Sequence, residues 1–206
     1  SNLQGTNPVS AMVYFLNGLP AKKEYRLFTP KTVEGPNDFA TMFEVVTRRY
    51  KRLLEEESEL PNLIIVDGGK GQLSSACDAL KAIGLYGKIP INGIAKRLEE
   101  IYFPEDTLPL YIDKKSESLK LIQRLRDEAH RFGITAHRNK RSKNFIVSQL
   151  EEMEGIGKLT AQKLLKQFGT TRNMLDAPIT ELEKVIGKAK TPALISQLKI
   201  WLDEKN

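Results

Sequence analysis

The stretch Leu63 to Gln72, LIIVDGGKGQ, limits what this chain can fold into more than any other part of it. Leu63, Ile64, Ile65 and Val66 form a short unbroken apolar run rich in branched side chains, which predicts a strand buried on both faces. Asp67 follows at once, so a carboxylate stands where a buried strand meets solvent. Gly68, Gly69 and Gly71 then allow a sharp turn and a close approach of backbone to ligand. Leu73 to Leu80 has helical spacing, completing a unit of strand, acidic tip, tight turn and helix. Ligands and chemistry in α/β folds gather at such carboxyl ends of strands. A phosphate loop of the Walker type fails on spacing, because Lys70 follows Gly69 directly and precedes Gly71 and Gln72 rather than Ser or Thr. A plainer role for Asp67, capping the helix behind it, stays open on these residues alone.

Charge narrows the partners. The net charge is +6, and between Lys114 and Lys143 ten basic residues face three acids, a local +7 that leaves the remainder at −1. A basic stripe on a near-neutral body suits a phosphate backbone, with a merely solvated helix face as the alternative. No apolar run reaches bilayer-spanning length and the N-terminus lacks signal-peptide form. The single cysteine, Cys77, excludes an internal disulfide, which agrees with a reducing cytoplasm. One Cys and two His exclude an ordinary zinc-finger ligand set.

Along the chain, Pro8 to Leu16, the Asn17-Gly18 pair and Glu24 to Phe28 predict an antiparallel hairpin. Thr29 to Asn37 is a loop, after which Asn37 or Asp38 can cap a helix with apolar positions Phe39, Phe43, Val46, Tyr50 and Leu53. Ile91 to Ala95 predicts a second buried strand ending in Lys96 and Arg97, and Ile101 to Phe103 and Leu108 to Ile112 two more. A long helix from Ser116 places Leu119, Ile122, Leu125, Ala129 and Phe132 on one face, with His130 at its apolar edge. A lone His in that place is more often structural than functional. Arg138 to Lys143 is a polar, basic joint, dividing a domain of residues 1–143 from one of 144–206. In the second domain, Leu150 to Leu165 is a helix, a tight Gly155-Ile156-Gly157 turn and a helix. A weaker copy runs from Ile179 through Gly187-Lys188-Ala189 to Trp201.

Several separated motifs in this order, QGT near the start, GPNDFA at Gly35 to Ala40, TRRY at Thr47 to Tyr50, DGGKGQ at Asp67 to Gln72, AKRLEEIY at Ala95 to Tyr102 and RDEAHRF at Arg126 to Phe132, resemble the C-terminal half of the UvrC family. That family supplies the incision subunit of the bacterial excinuclease of nucleotide excision repair. The resemblance implies an α/β domain with an RNase H-like mixed sheet flanked by helices, then a small all-α tandem helix-hairpin-helix domain. It assigns Asp67, Asp38 and His130 as catalytic, metal-binding residues of a 5′-incision endonuclease. It implies Mg²⁺ or Mn²⁺ as cofactor, double-stranded DNA as substrate and, in the full-length protein, UvrB as partner through a segment outside this chain. A hard divalent cation held by carboxylate oxygens polarises the phosphoryl group and activates water, and an imidazole nearby helps hold it or relays a proton.

DNA contact is expected from Lys70, Arg124, Arg138, Arg141 and Lys143 as cations, and from the hairpin residues Gly155, Ile156, Gly157, Lys158 and Gly187 through backbone N–H groups. The second hairpin departs from the first, lacking an apolar middle residue and a second Gly. A further departure lies at the start. The family carries an Asp two residues before a Ser-His pair on a central first strand, whereas this chain begins Ser1-Asn2, which places that Asp upstream and Asn where the His belongs. The expectation is a fragment that binds metal weakly and cuts poorly by itself. The rival from another class is a DNA-binding module that has kept the fold and the hairpins without cleavage; an RNA-cleaving enzyme of the same fold is a third.

Overall fold

The computed structural model describes residues 9–33, 35, 37–95 and 100–203. The QGT stretch, Asn2, Pro36, and Lys96 and Arg97 lie outside them. The division between two compact units, Ser1–Ala136 and His137–Asn206, falls inside one long helix. Among the described residues no helix is long and apolar enough to cross a membrane.

The first unit opens on the expected hairpin. Strands β1 (Ser10–Met12) and β4 (Arg26–Phe28) pair antiparallel, and nearer the tip β2 (Phe15–Leu16) pairs with β3 (Leu19–Pro20). Asn17 and Gly18, at φ 51° and 75°, form the connection, as a two-residue turn matching strand twist requires. The loop from Thr29 then leads into α1 (Asp38–Glu55). Behind it β5 (Ile64–Asp67), α2 (Lys70–Ala82), β6 (Ile91–Ile94), β7 (Glu100–Tyr102) and β8 (Leu110–Tyr111) follow. Strands β5 to β8 form a mixed sheet in sequence order, parallel between β5 and β6 and antiparallel thereafter. Its core joins Ile64, Val66 and Ile91 to Leu73, Ala76, Cys77 and Leu80 of α2 and to Val46, Tyr50 and Leu53 of α1. Leu63, expected inside the strand, precedes it and is exposed.

The face of α1 differs from the expected stripe. Phe39 and Phe43 are 53% and 40% exposed, while Glu44 is buried. The cause is the loop laid over the first turns of the helix: Glu44 accepts from the backbone N–H groups of Lys31 and Thr32, the Thr32 hydroxyl and Arg48 Nη1, at 2.7–3.1 Å. Burial alone would raise the pKa of this carboxyl, but these donors outweigh it and hold it at about 2, against an ordinary 4.5. A depressed carboxyl stabilises above its unfolded pKa and loses that contribution as pH falls through the folded one. Glu44→Gln is expected to cost about 2 kcal/mol near neutrality. In urea melts the gap between wild type and variant should close between about pH 4.5 and pH 2; a gap independent of pH would contradict the assignment.

Helix α3 (Glu117–Glu151) begins at the expected place, with Ser116 Oγ accepting from Leu119 N at 3.2 Å. It does not end before the basic joint: residues 138–143 are helical. Lys and Arg are good helix formers, so a polar, basic stretch without Gly or Pro has no local reason to break. In the second unit the last turns of α3 pack with α4 (Lys158–Phe168), α5 (Thr171–Asp176), α6 (Ile179–Ile186) and α7 (Thr191–Asp203). Leu150, Leu164, Met174, Leu182, Leu194 and Leu198 make their common core, each fully buried. Helix α5, capped by Thr170 Oγ1 on Asn173 N at 3.1 Å, carries no sequence signal strong enough to have been expected.

Candidate active site and nucleic-acid interface

Asp67 is the last residue of β5 and lies exposed at its carboxyl end, in register with Ile94 of β6. The chain turns at once, Gly68 N–H donating to the Ile94 carbonyl at 2.9 Å. The turn passes close over β6, where a Cβ on Gly93 would stand 3.0 Å from the Gly68 carbonyl oxygen. The N-cap of α2 is Gly69, with no side-chain capping bond. Asp67 is therefore not the helix cap that its position allowed.

Asp38 is the first residue of α1. Asn37 takes the cap, its Oδ1 accepting from Ala40 N at 3.0 Å, so Asp38 is exposed in the first turn, where the helix dipole favours negative charge. Asp38 opens α1 and Asp67 closes β5, the strand that leads into α2. Gly71, in the first turn of α2, has no room for a Cβ because the ring of Phe39, next to Asp38, lies against it. The start of α1 thus abuts the start of α2, the helix that follows Asp67.

His130 is exposed on α3. The residues around it dock that helix on the hairpin: Phe132 meets Tyr25 edge to face at 5.1 Å, and Gly133 passes Ala11 closely enough that a Cβ would be 3.5 Å from its Cβ. Arg131 grips Glu128 with two bonds of 2.7 and 2.6 Å, and Tyr25 Oη donates to the same carboxylate at 3.0 Å. The bidentate Arg131 contact, opposed by burial and helped by Tyr25, holds Glu128 at about 2, while burial and that acid push Tyr25 up to about 12. Among the described residues no group of three or more His, Cys, Asp or Glu is close enough to hold a metal ion. Carboxylate oxygens such as those of Asp38 and Asp67 are the donors that a hard cation such as Mg²⁺ or Mn²⁺ prefers and that a softer metal uses poorly.

The other expected DNA contacts fall into two groups. Lys70 Nζ donates to the Thr107 carbonyl and stands 5.7 Å above the Tyr102 ring, and Arg124 Nη2 donates to the Gly18 carbonyl at 3.1 Å, so both cations are already used within the unit. Arg138, Arg141, Lys143 and Lys158 are exposed. In the first hairpin Gly155 takes φ 77°, open to Gly but strained for other residues. Ile156 is a buried anchor whose N–H donates to Met153. Gly157 is the N-cap of α4 without a side-chain bond, leaving the first-turn N–H groups of that helix available to an anion. In the second hairpin Gly187 N–H is spent on Glu183 at 2.8 Å. Lys190 Nζ reaches back to the Gly155 carbonyl at 3.0 Å, and Gln197 Oε1 accepts from Glu154 N, so the second hairpin braces the first. No feature of sequence spacing marks Lys190 for that part.

Residues 1–134 match the family profile described as the UvrC RNAse H endonuclease domain. Similar proteins include the UvrABC system protein C of Christiangramia forsetii, 63% identical over 190 residues, covering 92% of this chain and 32% of that protein. That of Cytophaga hutchinsonii is 59% identical over 199 residues, with 96% and 33% covered. That of Porphyromonas gingivalis W83 is 56% identical over 199 residues, with 97% and 33% covered. The chain thus spans about a third of the length of these relatives. A strand-borne Asp67, an RNase H-like mixed sheet and similarity along nearly the whole chain agree, and the chain belongs to the UvrC family.

Proposed function

We propose that this chain is the 5′-incision nuclease half of an excinuclease C protein, hydrolysing one DNA phosphodiester 5′ to a lesion in the cytoplasm. The observation that carries the reading is the meeting of Phe39 with Gly71, which brings the start of α1, where Asp38 stands, against the first turn of α2, the helix that follows Asp67. When bound there, Mg²⁺ or Mn²⁺ supplies Lewis acidity at the phosphoryl oxygen and an activated water. Asp67 and Asp38 provide the carboxylate oxygens, and the rigid β5 turn keeps the first in place. His130, on a helix fixed to the hairpin by the Glu128–Arg131–Tyr25 cluster, carries a proton to the leaving oxygen. Exposed Arg138, Arg141, Lys143 and Lys158, with the α4 N-terminus, bind phosphates without reading bases. UvrB is the expected partner of the full-length protein.

Lesion-bearing duplex, cut by a full-length protein of this family carrying this segment with a UvrB partner and Mn²⁺, should give a 5′-side nick ending in a 3′-hydroxyl. Cleavage on the 3′ side alone would overturn the assignment. A second reading, that this chain by itself binds DNA without cutting, is favoured by the lack of a three-donor cluster among the described residues. Plasmid nicking by this chain with Mn²⁺ separates the two: nicking dependent on Asp67 removes the second reading, and duplex binding without nicking supports it.

A further inference from the structure

An open groove of about 680 Å³ in the second unit is lined by Arg138, Arg141, Ser142, Phe145, Ile146 and Trp201. The first five follow one another at helical spacing on one face of α3, and Trp201 comes from α7. Two features set it apart from an ordinary solvated helix face. Phe145 is 51% exposed although it stands among cations. Trp201 is half-buried, and its Nε1 donates to Gln149 Oε1 at 2.8 Å, which locks the indole in one orientation. Among the described residues no carboxylate lines the groove.

We infer that this groove is a stacking site for an unpaired nucleotide of a DNA strand. Flat aromatic faces beside guanidinium groups complement a base and its phosphate together, whereas a base pair within a stacked duplex offers no free face to Phe145. Arg138, Arg141 and the Ser142 hydroxyl supply donors for the phosphate, and the fixed indole costs no ordering when a base arrives. The site rests on the reading of this unit as a DNA interface and deepens it: the hairpin Gly155–Gly157 holds duplex phosphates, and the groove holds strand that has lost its partner. An acidic peptide shares the charge complementarity but has no use for the aromatic side chains of the lining, so the nucleotide is the occupant favoured here.

Trp201 is the only tryptophan of the chain, so emission excited selectively at tryptophan reads this groove alone. Titration with an oligothymidylate of eight nucleotides should quench it, and Phe145→Ala should weaken that binding about tenfold, with Phe145→Tyr restoring it. Because Phe145 is exposed, helical circular dichroism and affinity for a blunt duplex should stay within twofold of wild type. Equal quenching by blunt duplex, an unaffected Phe145→Ala, or a glutamate-rich peptide that quenches Trp201 and competes with the oligothymidylate would overturn the site. Duplex binding retained without any quenching by the single strand sinks the groove and spares the hairpin; loss of both ligands sinks the interface as a whole.

Discussion

Asp67→Asn, placed in a full-length protein of this family, is expected to lower incision about a thousandfold or more while leaving duplex affinity within twofold. The amide keeps the size of the side chain but removes the charge that holds a hard cation, so the loss falls on the reaction and not on the fold. Asp67 is exposed at a strand end and caps nothing, so no structural debt accompanies the change. Asp38→Asn should fall nearly as far, since Asn37 and not Asp38 caps α1. His130→Gln should lose about a hundredfold, the scale of one proton-transfer group. Gel-based incision assays with parallel duplex binding give the comparison. An Asp67→Asn protein that cuts at wild-type rate places the chemistry elsewhere.

The largest stability effect is expected at Leu194. This side chain is fully buried among Leu150, Leu164, Leu182 and Leu198, in a unit of only about 70 residues. Leu194→Ala removes buried methyl groups and leaves a cavity, at about 2–5 kcal/mol. Small domains are held by about 5–15 kcal/mol in all, so the second unit should be largely unfolded at moderate temperature and duplex binding should go with it. Ile200→Ala on the same helix, 58% exposed, should change stability by under about 0.5 kcal/mol. Urea denaturation of the two variants decides: equal midpoints would mean that α7 is not an integral part of this core.

Some of this was written plainly in the amino acids. A branched apolar run ending in Asp67, the Asn17-Gly18 turn and the Gly155-Ile156-Gly157 turn are local signals, each tied to a backbone geometry that few other residues adopt. What was hidden depends on partners distant in sequence. Glu44 looks like any surface acid of an amphipathic helix until the Lys31–Thr32 backbone closes over it, and that same closure leaves Phe43 outside. Helicity across Arg138 to Lys143 has no apolar period to announce it. The bracing of Gly155 by Lys190, and the groove that Phe145 shares with Trp201, arise only when α3, α4 and α7 pack. For the candidate site, the sequence supplied the residues and the structure supplied the adjacency of α1 and α2. The position of His130 follows from a helix docked on the hairpin, which no spacing rule encodes.

The central claim is that Asp38 and Asp67 serve one cation. Binding of Mn²⁺ to this chain, followed by electron paramagnetic resonance across wild type, Asp38→Asn, Asp67→Asn and the double variant, tests it most directly. A shared site predicts that either single change weakens binding at least tenfold and that the double variant is little worse than the single ones, the non-additivity of residues acting on one ligand. Two independent weak sites, each lost with its own aspartate and additive in the double variant, would contradict it.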